Sequence, residues 1–167
     1  METGLPLKPQ HVLQRLESLC IPFEHYEHEP VASSADRFPL DLVFGAQVCK
    51  NLLVCTRNES RFLLLMFPFE KNADLKALRA AFGTSRLCFA PDRALFSLLG
   101  QAPGNVGVCG VINDSARLVE VVFDTSLKNT PRVATHPGSN SQTIVLEFAG
   151  LEKYARTWGS TVHFFDF

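Results

Sequence analysis

Apolar runs and polar breaks alternate along the chain at intervals that predict short helices and strands in mixed order. "KPQHVLQRLESLC" sets Val12, Leu13, Leu16 and Leu19 on one helical face, with Pro9 in a first turn that tolerates it. "IPFEHYEHE" switches to period two, with Phe23, His25 and Glu27 on one side and Glu24, Tyr26 and His28 on the other, which predicts a half-buried strand. "SSADRFPLDL" predicts a short helix broken at Pro39 and followed by a turn at Gly45. Two apolar runs, "CKNLLVC" and "RFLLLMF", flank the polar stretch Thr56 to Ser60 and predict a hairpin.

"NADLKALRAAFG" then predicts a helix capped by Asn72, striped by Leu75, Leu78 and Phe82 and ended by Gly83. "APDRALFSLLG" repeats that form up to Gly100. The turn-rich "QAPGNVGVCG" leads into "VINDSARLVEVVFD", which predicts a hairpin around Asn113-Asp114. "RVATH" and "QTIVLEF" predict two strands joined by Pro137 to Asn140, and "GLEKYARTWG" and "TVHFFDF" a last helix and strand. Strands and helices mingle without regular β-α-β alternation. That order predicts an α+β domain, a mixed sheet with flanking helices, rather than a doubly wound fold.

At 167 residues the chain fits a single domain, 1–167, and 46% hydrophobic residues with 14 Phe supply a full core. The net charge of −1 is at odds with a protein that coats nucleic acid, so any contact with RNA is local. Five scattered cysteines without a CxxC pair suit a reducing, cytoplasmic setting. The N-terminus lacks an apolar signal core, and no apolar run approaches the ~18 residues of a membrane span.

Candidate chemistry narrows by elimination. His25 and His28 point to opposite sides of a strand and do not share a metal ion, and the cysteines lack zinc-type spacing. Glycines 104, 107 and 110 match neither a Walker loop nor a dinucleotide fingerprint. They make either a plain turn or a lip of N–H donors for an oxyanion. Cys49 beside Lys50 is the one suggestive thiol, yet it flanks an apolar run and reads as a buried hydrophobe. No G-x-S-x-G elbow is present. What remains is His136 before a Pro-Gly turn that also offers Asn140 and Thr143, with Lys50 and Asn51 at the mouth of another strand. A fixed cation, amide dipoles and one imidazole suit ester hydrolysis without a protein nucleophile.

"CKNLLV", "DLKAL", "RLCFAP", "LLGQAPGNVGVCGVIND", "VVFD" and "THPGSNSQTIVL" follow the order and spacing of the YbaK-like aminoacyl-tRNA deacylases, relatives of the prolyl-tRNA synthetase editing domain. The resemblance covers nearly the whole chain and is strongest to the ProX-type subgroup. It implies a mixed, partly barrel-like sheet surrounded by helices and trans-editing of mischarged aminoacyl-tRNA. The bond cut is the aminoacyl ester at the terminal ribose, and the substrate it points to first is Ala-tRNA(Pro). It implies no metal or organic cofactor. The partner is the aminoacyl-tRNA acceptor end, with prolyl-tRNA synthetase or an elongation factor for delivery.

By the same resemblance Lys50, Asn51 and His136 are the catalytic positions. Gly104, Asn105, Val106, Gly107 and Val108, with Asn140 and Thr143, are the substrate-binding ones. Lys50 is expected to face the acceptor-end phosphate or terminal adenosine, and N–H groups near Gly104 to Val108 the developing oxyanion. His136 is expected to orient water or a ribose hydroxyl, or to shape the pocket. Val108 stands where the family pattern has proline, which bears on amino-acid choice before rate. Two alternatives accompany this reading: an editor for serine, threonine or cysteine, and a non-catalytic module of a synthetase complex.

Overall fold

The structure, a computed structural model, describes residues 4–31 and 45–167. The helix expected within 33–42 lies outside the described residues. Elements follow in the order α1 (Pro9–Ser18), β1 (Phe23–Glu27), β2 (Gln47–Thr56), β3 (Phe62–Pro68), α2 (Leu75–Phe82), β4 (Leu87–Phe89) and α3 (Asp92–Ala94). A π-helical segment (Leu95–Leu99), two 3₁₀ segments (Val108–Asn113 and Thr125–Asn129), β5 (Val119–Asp124), β6 (Val133–Thr135), β7 (Gln142–Leu146), α4 (Phe148–Thr157) and β8 (Val162–Phe165) complete it. The eight strands among the described residues form a mixed sheet ordered β1-β7-β6-β2-β3-β5-β8, with β4 also paired to β2. This is the expected α+β architecture.

The central hairpin explains the layers. β3 is buried along its whole length, which is why "FLLLMFP" reads as a continuous apolar run rather than an alternating one. On β2, alternation sends Cys49, Leu53 and Cys55 into the larger core, shared with α1, α4 and the π-helical segment. Leu52 and Val54 face the second core, roofed by α2 through Leu75, Leu78 and Phe82. Lys50 therefore belongs to the α2 face of the sheet and Asn51 to the other.

Two local expectations are corrected. Asp74, not Asn72, caps α2, its carboxylate accepting from the N–H groups of Lys76 (2.9 Å) and Ala77 (3.0 Å). The segment before β5 is no hairpin: Val108–Asn113 is a 3₁₀ helix, and Asp114 ties the chain down by accepting from Leu118 N–H (3.1 Å) and Val119 N–H (2.7 Å). β5 runs parallel to β3 instead of pairing with a neighbour in sequence. Val111 is buried in the larger core, so its apolar character satisfied tertiary packing rather than a strand period.

An ion pair with a buried carboxylate anchors the loop after β3. Asp124, 0% exposed, accepts from Lys71 Nζ at 3.0 and 2.8 Å, from the N–H and hydroxyl of Ser126, and from Phe167 N–H. Burial alone would raise its pKa, but the bonds from Lys71 and Ser126 outweigh it and hold the carboxyl below the ordinary value.

Candidate active site

The site forms where β2 loses a neighbour. On the edge away from β3, β6 pairs only with Gln47 and Val48, and β4 only with Val54 to Thr56. Gln47 N–H donates to Arg132 O (3.0 Å) and Leu53 O accepts from Ala90 N–H (2.9 Å), so odd-numbered residues of β2 turn their main-chain groups to this edge. By alternation the N–H and C=O of Asn51 point into the gap, beside which the Gly104–Val106 loop lies.

Two cavities meet at that gap, sharing Asn51 and Gly104 as walls. The smaller, about 60 Å³, is lined by His28, Val31, Val48, Thr135, His136 and Thr143, among others. It is well below the ~300–1,000 Å³ of ordinary ligand pockets, a size suited to a small side chain. The larger, about 400 Å³, is an open groove reached by Lys50, Phe69, Phe89 and Asp92.

The expected site residues divide between these spaces. His136, Asn140 and Thr143 line the small cavity, Lys50 and Val106 the groove, and Asn51 and Gly104 both. Lys50 Nζ donates to Lys71 O (2.7 Å) and Asn72 Oδ1 (3.4 Å) and sits 5.0 Å from the centre of the Phe69 ring. The Asp124 clamp on Lys71 thus fixes the carbonyl that holds the ammonium. Val108 is 0% exposed in the larger core and lines neither space, so it can act on the pocket only through the loop.

His136 and Asn105 stitch the glycine loop to the strand-end turn. A carbonyl only accepts, so the contact of His136 Nε2 with Val106 O (3.0 Å) puts the hydrogen on Nε2. Asn105 Nδ2 donates to Gly138 O (2.8 Å). Within the loop, Asn105 N–H is engaged by Ala102 O (3.0 Å) and Gly107 N–H by the buried Gln101 side chain (3.0 Å). Gly104, at φ +80°, supplies a left-handed turn that other residues rarely adopt. Gly107 matters for space instead: a Cβ there would lie 3.0 Å from His136 Cε1. Gly107→Ala is expected to push the imidazole by a few tenths of an ångström, lowering deacylation about 10-fold with little change in melting temperature. Single-turnover kinetics beside thermal denaturation check this.

Sequence reasoning set His28 aside, yet it lines the small cavity. Its Nδ1–H donates to Glu29 O (2.7 Å), and its Nε2 is hydrogen-bonded to the Thr143 hydroxyl (2.8 Å). The signal was long-range: β1 and β7 pair antiparallel with Glu27 opposite Gln142, which carries His28 to Thr143. Thr135 was also missed. It is 6% exposed, and its hydroxyl, like the side-chain oxygen of Asn51, is buried with no hydrogen-bond partner among the described residues. Burial pushes the Cys55 and Cys109 thiols up to about 11 and about 12, which keeps them protonated and unreactive. No group of three or more His, Cys, Asp or Glu among the described residues is placed to hold a metal ion, and no helix there is long and apolar enough to cross a membrane.

Residues 28–154, which carry both cavities, match the family model for the aminoacyl-tRNA editing domain. The chain belongs to the aminoacyl-tRNA editing domain family. This editing domain is 34% identical over 152 residues to the prolyl-tRNA editing protein ProX of Acetoanaerobium sticklandii, covering 91% of this chain and 93% of that protein. Its fold matches a crystal structure assigned provisionally as a trans-editing enzyme for prolyl-tRNA synthetase, with a TM-score of 0.70, 17% identity and coverage of 95% and 94%. A scaffold protein used for epitope grafting shares the fold at a TM-score of 0.74 and 18% identity, covering 95% and 94%. As an editing domain the chain is an aminoacyl-tRNA deacylase, with mischarged aminoacyl-tRNA as its substrate class.

Proposed function

We propose that this deacylase removes alanine from mischarged tRNA(Pro), with the amino-acid side chain in the small cavity and the acceptor end in the groove. The supporting observation is the pair of cavities that share Asn51 and Gly104. An ester joining a small acyl group to a nucleoside spans that wall, with the acyl part on one side and the RNA on the other. The mainly apolar lining from Val31, Val48 and Ala134 suits a methyl group, and the volume disfavours the larger proline ring. The ProX relative supports the prolyl-tRNA assignment.

In this reading water attacks the ester carbonyl at the gap in β2. Asn51 N–H points at that position and is the main-chain donor for the oxyanion; Asn105 and Gly107 already spend theirs inside the loop. Lys50 supplies positive charge to the RNA side, and His136 holds the loop in place. The unmet oxygens of Asn51 and Thr135 are acceptors for the α-ammonium of the aminoacyl group. An unsatisfied buried hydroxyl costs about 1–3 kcal/mol, which bound substrate offsets.

Replacing Thr135 with Val keeps the shape and removes the hydroxyl. The variant is expected to be as stable as the parent or more so, while kcat/KM on Ala-tRNA(Pro) falls about 10-fold. Melting temperature and single-turnover kinetics check both halves, and unchanged kinetics would remove Thr135 from the site. Assaying seryl-, threonyl- and cysteinyl-tRNA alongside tests the choice of amino acid, since faster hydrolysis of any of these would reassign the pocket.

A further inference from the structure

The groove contains an aromatic side chain that the chemistry above does not use. Phe89 is 66% exposed on β4, although most of the 14 Phe are drawn into the cores. In register it lies opposite Val54, so it shares a sheet face with Lys50 and Leu52. Its side chain lines a groove of about 400 Å³ that also carries Lys50 and Asp92, within the usual size of a ligand site.

We propose that this groove is a nucleobase subsite. Phe89 is the stacking platform for the terminal base of the aminoacylated RNA, and Asp92 accepts a hydrogen bond from that base's exocyclic amino group. The inference rests on the deacylase reading and deepens it. Three observations select a base over other occupants. The groove shares Asn51 and Gly104 with the small cavity, so a nucleoside whose ester reaches the cavity at that boundary has its base beside the groove. The exposed aromatic face of Phe89 matches a planar ring, which stacks on it. The Asp92 carboxylate at the rim repels a phosphate but accepts from an amino group, while Lys50 supplies the charge for the sugar–phosphate that follows. A terminal adenine offers such an amino group, and hypoxanthine offers a carbonyl in its place.

The test uses the whole protein and a non-hydrolysable probe, 3′-alanylamino-3′-deoxyadenosine, with its inosine counterpart, titrated by NMR. Phe89→Ala is expected to weaken binding of the adenosine probe about 10- to 100-fold, Phe89→Tyr to preserve it and Phe89→Leu not to restore it. Asp92→Asn is expected to erase the preference for adenosine over inosine. Melting temperatures should stay near the parent's, since both side chains are exposed. Unchanged binding in Phe89→Ala, or full rescue by Leu, would overturn the stacking role; a preference that survives Asp92→Asn would overturn the amino-group contact. If wild-type protein still hydrolyses Ala-tRNA(Pro) in those cases, the subsite fails and the deacylase reading stands. Absence of hydrolysis by the wild type strikes the deacylase reading itself.

Discussion

Lys50→Ala is expected to lower kcat/KM for deacylation of Ala-tRNA(Pro) about 100-fold while leaving the protein folded. The ammonium is fixed rather than loosely solvated: Lys71 O and Asn72 Oδ1 hold it, and the Phe69 ring lies beneath. Placed in the groove rather than the small cavity, it acts on the RNA side of the ester. The salt dependence of kcat/KM should consequently become shallower, by roughly 0.7 in logarithmic slope if one phosphate contact is lost. Lys50→Arg keeps the charge but changes its reach and donor geometry, so partial activity is expected. A variant that melts like the parent and reacts at the parent's rate would remove Lys50 from the mechanism.

Asp124→Ala carries the largest expected cost in stability. It strips a fully buried carboxylate from Lys71, Ser126 and Phe167, leaving the Lys71 ammonium without its partner. With the Lys71 ammonium one-third exposed, the lost hydrogen bonds cost about 2 kcal/mol, or roughly 4–8 °C in melting temperature for a chain of this size. The same carboxyl gives a pH signature. Its pKa is lowered in the folded state, so its stabilisation is complete above the ordinary aspartate value of ~3.9 and is lost as pH falls through the lower native value. Glu120 adds in the same direction, because Arg61 at 2.5 Å and His163 hold its carboxyl down against burial. Melting temperature followed from about pH 6 to pH 3 should drop steeply at the acid end. Asp124→Asn should flatten that drop. Because Lys71 also fixes the carbonyl that holds Lys50, either Asp124 variant should deacylate more slowly at temperatures where it remains folded.

How far the sequence reached can be judged from particular residues. The β2–β3 hairpin was readable because both runs are apolar beyond what a loop tolerates, with polar residues only at the connection. Lys50 and Asn51 stood out for the opposite reason, as polar residues on a buried strand. Their separation onto two faces follows from period two alone, although adjacency in sequence suggests a shared site. The gap in β2 was not readable. It exists because β6 stops at Val48 and β4 begins at Val54, and such pairings across 30 or more residues leave no local trace. His28 and Thr135 enter the site by the same long-range route. "VINDSARLV" misled because Val111 answers to the larger core, and Asn72 because Asp74, two residues on, offers the better-placed carboxylate.

The most direct test of the central claim compares alanyl-tRNA(Pro) with prolyl-tRNA(Pro) under single-turnover conditions, with purified protein in excess. A cavity of about 60 Å³ that takes the acyl side chain predicts rapid loss of alanine while proline stays attached. Equal rates on the two esters, or faster release of proline, would contradict the account.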